Sequence, residues 1–353
     1  MTTAFPLLRL PYLVLMLILE QLDFMERIAL SILSKRARMF LKLLKMKCNH
    51  INISLEGERI RMEVSFDNSI ELTLNMYANH YTRIRSNYEN DYHDYWSCTR
   101  PHVDYVLPIM DVTHCKSIKK LTFPKVAEYN PKYDPHIPLL MKLPKIDELI
   151  VEHTSLYYFS PDSPLLKVLR IIFPVISAVT ISDQVRKPKY TREVFKGNFD
   201  VVSLRHPWNI KGFSLNDWRI ANAKTLKLDG SSFKVENVNR YFKLWMKKKC
   251  NPRLENLIVR TRENVTKDLL LKGLNAVQVP INADRSLRVL GNIKQYHSDE
   301  EILFEFDITR ADGRRATISI SNYGLVFFYV WPFSQNQSSF IRAFSFISTF
   351  YNS

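Results

Sequence analysis

Five residues whose side chains bind metals lie close together in the first third of the chain: His93, Cys98, His102, His114 and Cys115. Imidazole and thiolate are zinc ligands, and four of them at fixed spacings would close a tetrahedral site. The spacings here follow no zinc pattern, and His114 and Cys115 are adjacent. The expectation is ordinary loop residues and no metal. The other route to chemistry is a backbone that can approach phosphate or hold a strained nucleophile. Both need closely spaced glycines. The chain has eight glycines, and no two lie closer than Gly313 and Gly324. This excludes the dinucleotide-binding fingerprint, the P-loop and the G-x-S-x-G elbow. No His precedes a Glu, and no two His are four apart, so H-E-x-x-H is absent as well. Carboxylates are numerous, but no pair is singled out. The reading is a non-enzyme without a cofactor.

The elements around these residues divide into helical and extended stretches. Residues 5–49 read as three short helices. Pro11 sits where a first turn tolerates it. Asp23 followed by Glu26 forms a capping signal. Ile28, Ile32 and Leu33 share a face, Ser34 breaks the helix, and Phe40, Leu41 and Leu44 line a third helix. From His50 the period becomes two. Ile51, Ile53 and Leu55, then Ile60, Met62, Val64 and Phe66, then Ile70, Leu72, Leu74 and Met76 alternate with polar residues. The turn residues between them predict an antiparallel meander. Residues 79–105 mix Tyr, His, Asp and Asn and read as an irregular loop.

A phrase then recurs, apolar–x–x–Leu–x–apolar: Ile118–Leu121–Phe123, Ile146–Leu149–Val151, Leu166–Leu169–Ile171, Ala223–Leu226–Leu228 and Leu254–Leu257–Val259, with a weaker copy around Leu204. Each copy predicts a short buried strand. The intervals leave room for a crossover, and the whole resembles a degenerate leucine-rich repeat. Val238, Tyr241, Phe242, Trp245 and Met246 predict an amphipathic helix ending at Lys247–Lys249, where cations complement the helix dipole. The end is β again: 302–308 and 316–320 alternate around a hairpin at 311–315. The apolar run Leu325 to Trp331 reads as a strand buried on both faces.

The chain has 353 residues, of which 46% are hydrophobic and 24% charged, enough for a large core. A net charge of +15 admits nucleic acid, an acidic protein or an anionic membrane as partner. No interleaving of basic and aromatic residues of the kind that stacks bases is present, so nucleic acid is the lesser reading. Four scattered cysteines, Cys48, Cys98, Cys115 and Cys250, suggest no disulfide framework and point to a reducing compartment, cytoplasmic or nuclear. The apolar run Tyr12–Leu19 is too short to span a bilayer and is followed by Glu20-Gln21-Leu22-Asp23 rather than by small residues.

Residues 5–40 carry Phe5-Pro6-Leu7-Leu8-Arg9-Leu10-Pro11, Leu15, Ile18-Leu19, Leu22, Ile28, Leu30-Ser31 and Leu33-Ser34-Lys35-Arg36. This pattern resembles an F-box of the kind expanded in nematodes. Three later stretches are similar to the type-2 F-box-associated domain: Asn239 to Trp245 with Asn251 to Leu257, Asp312 to Thr317, and Tyr329-Val330-Trp331. The resemblance implies an F-box at 5–49 and a target-binding, leucine-rich-repeat-like domain at 50–350. The implied fold class is α+β: a three-helix F-box, then an irregular α/β solenoid with antiparallel meanders near both of its ends. It also implies a substrate-recognition adaptor of a Skp–cullin–F-box ubiquitin ligase. Its partners would be the Skp adaptor, through it a cullin–RING ligase, and an unidentified protein target. Leu7, Leu10, Pro11, Leu15, Ile18, Leu19, Leu22, Ile28 and Leu33 would form the Skp-binding surface. A helix apolar all round cannot bury both faces in so small a unit, which agrees with a partner. The alternatives are a repeat-type protein-binding module outside any ligase and a basic nucleic-acid-binding protein.

Overall fold

The computed structural model describes residues 9–56, 59–66, 71–77, 82–88, 91–98, 103–124, 136–152, 164–182, 188–206, 215–261, 265–281, 301–322 and 324–332. The chain divides into two compact units, residues 1–212 and 213–353.

The first unit opens with helices α1 (Tyr12–Gln21), α2 (Phe24–Leu33) and α3 (Lys35–Leu41), followed by a 3-10 turn at Lys42–Leu44. These are the three expected helices. Asp23 and Glu26 make a complete capping box at the start of α2. Ser34 is both the last cap of α2 and the first of α3, its hydroxyl accepting from the Ala37 N–H. The meander follows as β1 (Cys48–Glu56), β2 (Arg59–Phe66) and β3 (Glu71–Tyr77), antiparallel throughout. The alternating Ile51, Ile53, Leu55, Ile60, Met62, Val64, Leu72 and Leu74 are all buried, so one face of these strands is core. Ile70 and the turns at 57–58 and 67–69 lie outside the described residues.

The meander does not stop at β3. The stretch read as an irregular loop forms β4 (Thr82–Tyr88) and β5 (Asp91–Cys98), each antiparallel to the strand before it. A sheet extends by backbone donors and acceptors alone. Hydrophobic alternation is therefore not required of a strand added at the edge.

Helix α4 (Val103–Val112) leads into a parallel section: β6 (Ser117–Phe123), α5 (Ile137–Leu140), β7 (Lys145–Val151), α6 (Pro164–Ile172), β8 (Ile176–Ile181), α7 (Pro188–Lys196) and β9 (Val201–His206). The strand order in this unit is β9-β8-β7-β6-β1-β2-β3-β4-β5, parallel from β9 to β1 and antiparallel beyond. In β6 and β7 the repeated phrase buries its three apolar positions, Ile118, Leu121 and Phe123, then Ile146, Leu149 and Val151.

One copy of the phrase was misassigned. Leu166, Leu169 and Ile171 lie on helix α6, not on a strand. Leu165, Leu166, Val168, Leu169 and Ile172 are buried while Lys167 and Arg170 are exposed, a period of 3.6 that outweighs the local likeness to a strand. The strand comes next, in β8, as Ile176–Val179–Ile181, and again as Phe199–Val202–Leu204, of which the last two lie in β9, all buried. Valine occupies the central position in both, which hid the β8 copy from a pattern built on leucine and left the β9 copy as the weaker one around Leu204.

The second unit contains α8 (Leu215–Arg219), β10 (Thr225–Phe233), α9 (Val235–Met246), β11 (Asn256–Thr261), α10 (Lys267–Leu271), β12 (Val277–Val279), β13 (Ile302–Thr309), β14 (Arg315–Ser321) and β15 (Leu325–Val330). Its order is β12-β13-β14-β15-β11-β10. β10 and β11 are parallel, joined by α9, and the other pairs are antiparallel. Every residue of β15 is buried, as the unbroken apolar run requires. Gly313 turns the β13–β14 hairpin at φ +85°, a conformation that favours glycine. Val238, Tyr241, Phe242 and Trp245 form the buried stripe of α9, and Phe328 packs on both Phe242 and Trp245 at 4.8 and 4.9 Å between centroids.

Candidate docking surface on the N-terminal helices

Helix α1 is apolar along eight successive residues, Tyr12 to Leu19, but only Leu15 and Leu19 are fully buried. Leu13, Val14 and Leu17 face outward at 74%, 45% and 63% exposure, with Tyr12 also exposed. Leu17 lies four residues from Leu13 and three from Val14, so it shares a stripe with both. Leu33 at the end of α2, Met39 on α3 and Leu43 on the 3-10 turn are exposed too. Tyr12 reaches Phe40 at 5.9 Å between ring centroids, which brings α1 against α3. Most of the exposed large apolar side chains among the described residues belong to these helices. A concentration of this kind marks an interaction surface rather than scattered surface leucines.

Helix ends in this segment are locked by side chains. Arg27 donates to the carbonyls of Leu22 (3.0 Å) and Glu20 (2.7 Å), satisfying the C-terminal end of α1. Arg38 donates to Ser31 O at 2.8 Å and does the same for α2. Lys42 pairs with Asp111 at 2.6 Å, and His114 Nε2 lies 2.7 Å from Lys42 O, so the end of the helical segment is tied to α4. Phe24 meets Phe66 of β2 edge-on at 4.2 Å. The surface is thus held on a rigid frame.

The residues expected to dock a partner separate into groups. Leu15, Leu19 and Ile28 are buried completely in the chain itself. Leu10, Ile18 and Leu22 are half-buried, and Pro11 and Leu33 are exposed. Leu7 lies outside the described residues. The most exposed members, Leu13 and Leu17, were not singled out. The signal for them was present: in an all-apolar helix the positions two residues removed from Leu15 and Leu19 face the opposite side.

The other sequence candidates serve the fold. His114 contacts a backbone carbonyl, and Cys115 donates to Ser117 O at 3.1 Å. His93 and Cys98 lie on β5, and His102 falls outside the described residues. No group of three or more metal-binding side chains occurs among the described residues. Lys248 pairs with Asp312 at 3.3 Å. Asn239 donates to the carbonyls of Leu270 and Lys272, and Asn251 donates to Ala223 O. Asp312 accepts two bonds from Arg310, and Thr317 donates to Asp307 and accepts from Trp331 Nε1. The residues that suggested an F-box-associated domain are therefore structural anchors of the second unit. No described helix is long and apolar enough to cross a membrane.

These three helices with an outward apolar stripe are set before a sheet-rich α/β region. The F-box domain model matches residues 7–49, and the F-box associated model matches residues 190–259. The two matches support an F-box in the N-terminal helices and an F-box-associated segment at residues 190–259. The second match includes the Asn239–Leu257 stretch but not Asp312–Thr317 or Tyr329–Trp331. The F-box implies a role in substrate recognition by a Skp–cullin–F-box type ubiquitin ligase, and F-box proteins are generally adaptors rather than enzymes. Comparison with curated proteins and with solved structures gives no match.

Proposed function

We propose that the N-terminal helices dock the Skp adaptor of a cullin–RING ligase and that the sheet-rich region beyond them captures a protein target. The observation that carries this reading is the outward stripe of α1, with Leu13 and Leu17 largely exposed among the described residues. Leu10, Pro11, Ile18, Leu22 and Leu33 border that stripe and contribute contact. Leu15, Leu19 and Ile28 act from beneath, holding the helices in place. The recurrent buried strand phrase and its helical crossovers support a leucine-rich-repeat-like surface for the target. Such an adaptor works by effective concentration. It holds target lysines near a ubiquitin conjugate and supplies no catalytic group. Its compartment would be that of the ligase, cytoplasmic or nuclear.

The test is co-expression with a tagged Skp adaptor, comparing wild type with Leu13→Asp/Leu17→Asp. Wild-type co-purification with loss in the double variant supports the reading, provided circular dichroism shows both folded. A folded wild-type chain that never co-purifies overturns it and leaves a binding module outside the ligase.

A further inference from the structure

Cys48 and Cys115 lie 67 positions apart in the chain and at the same end of two neighbouring strands. β1 and β6 pair in parallel with Asn52 opposite Lys120. Carried back along the strands, that register sets Cys48 within one position of Cys115. The pairing of β1 with β2 slips between Cys48 and His50. An irregularity of this kind re-aims a side chain at a strand end. Each thiol makes the same local contact, donating to the carbonyl two residues ahead: Cys48 to His50 O at 3.5 Å and Cys115 to Ser117 O at 3.1 Å. The Cys48 side chain is also the largest electrostatic influence on the Cys115 thiol. Adjacent strands run ~4.8 Å apart. That falls inside the Cα separation of about 4.4–6.8 Å that a disulfide bridges.

We propose that Cys48 and Cys115 form a peroxide-sensitive dithiol, an oxidative modification site whose disulfide fastens the end of the F-box to the sheet that follows. Cys48 lies within the F-box match and Cys115 beyond it. Both are half-buried, so a small oxidant reaches them, whereas Cys250 is buried. The Cys115 sulfur, as thiolate, attacks peroxide. An S–O bond forms, the O–O bond breaks, and hydroxide leaves and is protonated to water. The Cys48 thiol then loses its proton and attacks that sulfur. An S–S bond forms, and the sulfenic oxygen departs as a second water. Two thiols lose two electrons, and one peroxide becomes two waters. The Cys115 thiol is suited to the attacking role. The Cys48 side chain, and behind it the Ser117 backbone, lower it to about 7 against burial and the Asp147 carboxylate, which raise it. In a reducing compartment such a bond is transient and reports oxidation.

The test uses the full chain treated with hydrogen peroxide, quenched with iodoacetamide and mapped by mass spectrometry. The expected product is a cross-linked peptide pair containing Cys48 and Cys115. It is lighter by about 2 Da than the two reduced peptides, it is reversed by dithiothreitol, and it persists in Cys98→Ser/Cys250→Ser. In Cys48→Ser, Cys115 should pass on to sulfinic acid for want of a resolving thiol. Because the wild-type map is the primary readout, a variant that fails to fold does not blunt the test. Recovery of both thiols alkylated overturns the proposal. So does Cys115 over-oxidised beside a free Cys48 in the wild type, or cross-linking to Cys98 or to a second chain.

Discussion

The Arg310 guanidinium lies over the indole of Trp245, 5.1 Å from the ring centroid, while Nε and Nη2 grip both oxygens of Asp312 at 2.9 and 2.8 Å. The arginine is nine-tenths buried. The contact joins helix α9 to the β13–β14 hairpin, and the Ala311 N–H donates to Met246 O beside it. A buried cation over an aromatic face contributes about 2 kcal/mol, and charge-assisted bonds about 1.5–3. Arg310→Ala should lower the unfolding free energy by about 3 kcal/mol, measured in urea. Arg310→Lys should recover little of it, because an ammonium cannot stack and fork together. An Arg310→Lys variant as stable as wild type would show that charge alone matters.

The F-box helices separate fold from docking by depth. Leu15 and Leu19 are wholly buried, so truncation to alanine leaves a cavity, and each should cost about 2–5 kcal/mol. Leu13→Ala and Leu17→Ala at the exposed positions should change stability by less than about 0.5 kcal/mol. Denaturant melts of the four variants give the comparison. Similar losses at both depths would mean that the stripe is covered by another part of the chain.

Helix α2 begins with a reciprocal cap: Glu26 N–H donates to Asp23 Oδ1 at 2.8 Å, and Asp23 N–H donates to Glu26 Oε2 at 3.0 Å. Asp23→Ala should cost about 1 kcal/mol. The paired replacement with Glu26→Ala should cost less than the sum of the two singles, since each side chain serves the other end of one motif. Additive losses in chemical denaturation would argue against the reciprocal arrangement.

How much of this was legible follows from which forces are local. The Asp23–Glu26 box, the Ser34 break and the β1–β3 alternation were readable because cap chemistry and period two act over a few residues. β4 and β5 were missed because β4 is set by backbone pairing with β3 and β5 by pairing with β4, which side-chain alternation does not record. The Leu166–Ile171 segment was misread because a phrase of six residues fits a strand and a helix equally. Only the burial of Leu165, Val168 and Ile172 decides between them. The stripe of Leu13 and Leu17 was implied by an all-apolar helix, but which residues face outward depends on where α2 and α3 pack. The Cys48–Cys115 neighbourhood was hidden altogether. Parallel pairing of β1 with β6 brings together cysteines whose spacing matches no motif.

That neighbourhood fixes a pH dependence with a definite sign. Cys48 is the largest influence on Cys115, whose thiol is held at about 7 rather than the ordinary 9.0. Iodoacetamide alkylation of Cys115 should therefore rise with pH through a midpoint near 7, since the thiolate is the nucleophile. A lowered folded value means the ionised thiol favours the fold. The associated stability is complete above 9.0 and is lost as pH falls through about 7. Replacing Cys48 with alanine removes that influence, and the alkylation midpoint should move upward toward the ordinary thiol value. Burial and the Asp147 carboxylate then act with less opposition and push in the same direction. An unchanged midpoint in Cys48→Ala would assign the depression to the Ser117 backbone alone and would separate the two thiols chemically.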